Sequence, residues 1–312
     1  MLPSAVRLVS LLGVATLLAA MWSTSPRAQA QEPTPPTPQT SGSPPDAQST
    51  TGPVPPPGVD TAGVLAPQAV SAIITGVPAY SWHHGCGPTA AGMIIGYWDS
   101  QGFASLVAGE AFAQTAAVNE MMASEGPASN YTDYCEPLDY YPSLFPDLSE
   151  YPPGDEHADE CVADYMKTSQ SYHYNRYGWS WFSHVGPAMR SYSRQALGLG
   201  DNFPLTRNLY MLLDGSLNWD TFRAEIDAGR PMVLLVDMDG NGDTDHFVAA
   251  VGYDIIADVP HYACLNTWDY DVQWFEFAPM AEGQPWGIYG GVTFQILTLE
   301  NHVFCPLIAR DW

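Results

Sequence analysis

The sequence predicts an α+β protein in which one buried helix is followed, far along the chain, by a set of short strands. Three observations carry this. The segment "GCGPTAAGMIIGYW" reads as a helix opening near residue 86. The stretch "WDTFRAEIDAGRPMVLLVD" (219–237) reads as an amphipathic helix closed by Gly229, then a strand after Pro231. The runs "HFVAAVGYD" and "YACL" have strand length, β-compatible composition and polar or glycine ends.

The chain has 312 residues. Arg7, the apolar run "LVSLLGVATLLAA" and Ala28-Gln29-Ala30 follow the order of an export signal, so residues 1–30 are read as removed on secretion. No later run approaches the roughly 20 apolar residues of a membrane span. Residues 31–62 are Pro, Thr, Ser and Gly with almost no apolar content, which predicts an unpacked, semi-extended linker. Residues 63–312 are then one domain, expected to be a monomer.

The formal charge is −24, and losing Arg7 and Arg27 with the signal takes it to −26. Nucleic acid and anionic membranes are poor partners for such a chain, whereas cationic substrates or divalent ions suit it. Five cysteines are an odd number for an exported protein. Cys135, Cys161, Cys264 and Cys305 can form two disulfides in three pairings. Sequence separation favours Cys135–Cys161 and Cys264–Cys305, leaving Cys86 free.

Cys86 has a chemical reason to be free. Pro88 suits a first helical turn, and Ala90, Met93, Ile94, Tyr97 and Trp98 recur at helical spacing. The thiol therefore sits at a helix N-terminus, where unpaired N–H groups and the macrodipole favour thiolate. Its own N–H can also face an oxyanion on an attacked carbonyl. His246 opens an apolar strand, at a sheet rim where a base can meet a cleft. Asn266, in "CLNTWDY", follows the next strand, and its side-chain oxygen can orient an imidazole.

Cys, His and Asn in this order, with "DHFVAAVGYD" around the histidine and Asn266-Thr267-Trp268 after it, resemble the papain-like cysteine peptidases. The helix segment and residues 219–237 are closest to the bacterial branch related to bacteriocin-leader-processing peptidases. The resemblance covers roughly residues 76–105 and 215–295. It implies a helical lobe carrying Cys86, packed against a mainly antiparallel sheet carrying His246 and Asn266, with peptide or protein substrates. In that branch the third residue can be Asp, which makes Asp269 the reserve for Asn266. The family's glutamine, several residues ahead of the cysteine, is absent from "VPAYSWHHG". His83 and His84 are the candidate replacement oxyanion donors, with the Trp82 indole a weaker one.

"DMDGNGDTDH" (237–246) runs into the proposed base. Asp237, Asp239, Asn241 and Gly242 match the opening of a calcium-loop pattern, and Asp243 and Asp245 add oxygens. Val248 replaces the closing bidentate glutamate, so a structural Ca²⁺ in a strand-flanked loop is expected rather than an EF-hand. No organic cofactor is indicated. The Tyr- and Trp-rich stretch 130–182 suits packing more than a substrate surface, and the tail "NHVFCPLIARDW" suits an edge strand or a surface-attachment signal. Three activities share these residues: amide hydrolysis, acyl transfer to an amine, or a Ca²⁺-braced binding domain whose chemistry has lapsed.

Overall fold

The computed structural model describes residues 47, 49, 51–64, 72–124, 160–166, 168, 178, 180–200 and 203–297. Cys135, His157, His173, Cys305, most of the aromatic stretch and the C-terminal tail lie outside them. The helices are α1 (Cys86–Ser100), α2 (Ala116–Met122), α3 (Val162–Met166), α4 (Phe182–Leu197) and α5 (Trp219–Asp227). The strands are β1 (Ala72–Ile73), β2 (Leu205–Tyr210), β3 (Met232–Asp237), β4 (His246–Ile256), β5 (Val259–Leu265), β6 (Val272–Glu276) and β7 (Gly287–Gln295). They form one sheet in the order β2-β7-β3-β4-β5-β6, with β1 beside β4, and every pairing of these strands is antiparallel. The α+β, papain-like architecture is as the sequence predicts.

The sheet is covered on both faces, which explains why "MVLLV" in β3 has no polar position. Successive side chains point to opposite faces. Val233, Leu235, Phe247 and Ala249 join α1 in one core. Met232, Leu234, Val236 and Val248 join Phe222 and Ile226 of α5 in the other. Asn218 caps α5 by accepting from Thr221 N–H through Oδ1, and Thr221 Oγ1 accepts from Asn218 N–H in return.

α1 is buried without interruption from Cys86 to Tyr97 because α2, α3, α4 and the sheet surround it. Two glycines permit that enclosure. A Cβ at Gly92 would collide with Met122, and one at Gly96 with the Tyr80 hydroxyl. The helix "GPAMRSYSRQALG" starts four residues earlier than its sequence suggests, at Phe182 of α4, with Pro187 inside it.

The β4–β5 hairpin turns at Ala257 and Asp258, both in the left-handed region. Its register pairs Ala249 with Leu265. That brings the start of β4 beside the end of β5, so His246 and Asn266 become neighbours.

Ahead of β1, residues 47, 49 and 51–64 do not behave as the composition of 31–62 predicts. Ser49 donates its N–H to the Ser180 carbonyl at 3.1 Å, and Phe182 N–H donates to the Ala47 carbonyl at 2.7 Å. The Trp268 indole donates to the Gly52 carbonyl at 3.0 Å, and the Trp286 indole to the Asp60 carbonyl at 2.9 Å. Val64 N–H reaches the Trp274 carbonyl. Backbone pairing and indole donors fasten this strap, and Ala47 and Val59 add small apolar contacts with the two cores.

Candidate active site

Cys86 is the first residue of α1. Gly85 precedes it with φ 152°, a conformation open to glycine, and offers no side-chain cap. The thiol is fully buried. Phe247, the second residue of β4, donates its N–H to Sγ at 3.4 Å, so the helix N-terminus and the strand start meet at the sulfur.

His246 is also fully buried. Its Nε2–H donates to the backbone carbonyl of Asn266 at 2.7 Å, and the Thr267 hydroxyl lies 3.5 Å from the same nitrogen. Trp268 stacks on the imidazole, with centroids 3.9 Å apart and planes 11° from parallel. The carbonyl fixes Nε2 as the protonated nitrogen, leaving Nδ1 as the basic one. On that side stands Thr51. Its Oγ1 is 2.6 Å from Nδ1 and 3.6 Å from Cys86 Sγ.

Two sequence expectations are corrected here. Asn266 holds the imidazole through its main chain and not its side chain. Its Oδ1 accepts N–H bonds from Trp268 at 2.9 Å and Asp269 at 3.1 Å, and its amide donates to Asp269 Oδ2 at 2.9 Å. The side chain thus shapes the turn, and Asp269 supports it without touching the base. The thiol, in turn, is not pulled toward thiolate. Burial pushes its pKa up, against hydrogen bonds from Ser49 and Phe247 that favour the anion. Burial also pushes His246 down to about 3. The local helix-end argument is outweighed by desolvation.

The oxyanion candidates separate. His83 Nε2–H is committed to the Ala123 carbonyl at 3.1 Å, and burial lowers its pKa to about 4. His84 is buried with φ 54° and packs edge-on against His83, centroids 4.4 Å apart. Trp82 donates its main-chain N–H to Thr267, beside the base, and its buried indole N–H has no partner among the described residues.

The disulfide expectation is corrected for its two described cysteines. Cys161 and Cys264 are free and buried. Cys161 packs with Ala123 and Ala163 while accepting the Asp164 N–H. Cys264 points into the α5-side core.

In the acidic loop, carboxylates of Asp237, Asp239 and Asp245 converge within 4.8 Å. Asp243 is not among them. Asn241 bonds Asp239 through its amide and accepts Asp243 N–H through its oxygen. Asp237 is already capped by the N–H groups of Gly240, Asn241 and Gly242.

A cysteine at the head of a central helix, meeting a histidine that opens a strand of an antiparallel sheet, is the layout of the papain-like cysteine peptidases. The model of the Peptidase_C39 like family matches residues 74–276, and the chain belongs to that family. No curated protein matches it. Cys86, His246, Asn266 and Asp269 all lie in the matched span. The strap precedes it.

Proposed function

We propose that this chain is an exported cysteine peptidase that hydrolyses peptide or amide bonds through Cys86 and His246. The observation that supports it best is the Thr51 oxygen, in reach of both Sγ and Nδ1. An atom there touches nucleophile and base at once, as a reacting group must.

In the reaction, Nδ1 takes the thiol proton and Sγ adds to the carbonyl carbon. The backbone N–H of Cys86 is the oxyanion donor in this reading, and the buried Trp82 indole N–H, which has no partner among the described residues, is the second candidate. Collapse breaks the C–N bond as Nδ1–H protonates the leaving amine. Water, deprotonated by Nδ1, then cleaves the thioester and restores the thiol. The Asn266 carbonyl keeps Nε2–H in place throughout. Within the same reading, Asp237, Asp239 and Asp245 hold a structural Ca²⁺ that braces the loop ahead of His246.

Cys86→Ala and His246→Ala, assayed with a fluorogenic peptide library, test the proposal. Each is expected to abolish hydrolysis while leaving the circular dichroism spectrum unchanged. Activity surviving Cys86→Ala would reject the assignment. Product analysis with an added amine separates hydrolysis from acyl transfer.

A further inference from the structure

The strap crosses the site at its most sensitive point. Ser49 is fully buried and Thr51 is 3 % exposed, although both belong to a stretch with almost no apolar residues. Ser49 pairs with Ser180 in both directions, donating to its carbonyl and accepting its N–H at 3.3 Å on the side-chain oxygen. Trp268, the residue stacked on His246, holds the carbonyl of Gly52. The strap is therefore fastened on both sides of Thr51, by the α4 threshold and by the roof of the base.

Proton accounting shows what Thr51 does there. Nε2 carries the proton of the neutral imidazole because it faces a carbonyl. Nδ1 must then accept, and the Thr51 hydroxyl is its donor at 2.6 Å. The lone pair that would receive the thiol proton is occupied. Burial adds a second block, since it raises the thiol and lowers the imidazole, so the pair is held neutral. The threonine meets Sγ through its side-chain oxygen, which carries no acyl bond to cleave, so that contact obstructs the site.

We propose that the strap, centred on Ser49, Thr51 and Gly52, is a tethered inhibitor lying where a substrate strand binds, and that the site works only when the strap leaves. This rests on Cys86 as nucleophile. It also names the substrate class: an extended peptide with small, uncharged residues, paired to the main chain at 180–182 and held by the Trp268 indole. The strap lies outside the family-matched span 74–276 and is a feature of this chain's own N-terminal region.

The test reads thiol chemistry first and catalysis second. In the full exported chain, Ser49→Arg with Thr51→Arg places two charges in a buried slot and should expel the strap. Iodoacetamide labelling of Cys86, followed by peptide mass mapping, is expected to rise at least about tenfold, the rate being scaled by the open fraction. Cys161 and Cys264 are internal controls, because both are free and buried in the body of the protein. Unchanged Cys86 labelling in the folded variant would overturn the proposal.

If the variant unfolds and all three thiols react, the wild-type protein decides. There Cys86 should label through a local opening with little urea dependence, and Cys264 only through global unfolding. Equal rates and equal urea dependence for the two would overturn it. Peptide hydrolysis keeps the readings apart. Faster labelling without any hydrolysis in the variant leaves the strap standing and rejects the peptidase. Equal hydrolysis by wild type and variant rejects the strap and leaves the peptidase.

Discussion

Nε2 of His246 is held by the main-chain carbonyl of Asn266 at 2.7 Å, while the asparagine side chain turns away to its own loop. Orientation of the base is thus a property of the β4–β5 hairpin register more than of one side chain. Asn266→Ala keeps the carbonyl but leaves the N–H groups of Trp268 and Asp269 without their acceptor. The expected result is a stability loss of about 1–3 kcal/mol by urea unfolding. In the strap-expelled background, kcat should fall no more than about tenfold, equivalent to ~1.4 kcal/mol. A loss as complete as that of His246→Ala would show that the side chain orients the base.

The central part of this site was legible because its signals are local. Gly85 and Pro88 mark a helix start, and the run from Phe247 marks a strand, so Cys86 and His246 could be placed without knowing their neighbours. The state of the thiol was not legible, because desolvation depends on what lies over it. The strap was invisible for the same reason. Its order comes from main-chain pairing with Ser180 and Phe182 and from indoles more than 200 residues away, none of which leaves a pattern in a Pro/Ser/Thr stretch. Asn266 was found for a role that its backbone performs.

Acid should destabilise the folded protein through His246. Its folded pKa, about 3, lies below the ordinary 6.5, so folding favours the neutral ring. That contribution is complete above pH 6.5 and is lost as pH falls through the window toward 3, because only the unfolded chain protonates freely. A loss on the order of 2–4 kcal/mol across the window is expected. His246→Gln should flatten that part of the stability profile. An equally steep profile in the variant would place the acid sensitivity elsewhere.

The acidic loop has the opposite sign. Burial raises Asp245, and the neighbouring Asp237 and Asp239 add to it. A raised carboxyl contributes stability at pH below its unfolded value and loses it as pH rises through the folded one, so at neutral pH the loop carries unfavourable charge. Ca²⁺ bound at a hundred times its Kd would return about 2.7 kcal/mol. The expected readout at pH 7 is a Tm gain of about 5 °C on adding Ca²⁺, reversed by EDTA. Asp239→Asn should raise the metal-free Tm and remove the response. A wild-type Tm indifferent to Ca²⁺ would mean that the turn's own N–H bonds suffice.

Gly96 tests how tightly the nucleophile's helix is seated. Alanine there would gain up to about 1 kcal/mol of helix propensity. It would also drive a methyl into the Tyr80 hydroxyl, which donates to the Ala111 carbonyl. Steric conflict of this kind costs about 1–3 kcal/mol in a packed core. Gly96→Ala should therefore be net destabilising, and a stabilised variant would show that α1 has room to shift.

Trp268 joins the base to the strap, because one face of its indole stacks on His246 and its N–H holds Gly52. Phenylalanine keeps an aromatic face for the imidazole and removes only the donor. Losing one buried hydrogen bond is worth about 1 kcal/mol, so the strap should open roughly fivefold more often. Trp268→Phe is thus expected to speed Cys86 alkylation in the full chain by that factor. In the strap-expelled background the same substitution should leave alkylation nearly unchanged. If alkylation changes equally in both backgrounds, the indole acts on the thiol–imidazole pair itself, and its bond to Gly52 does not hold the site shut.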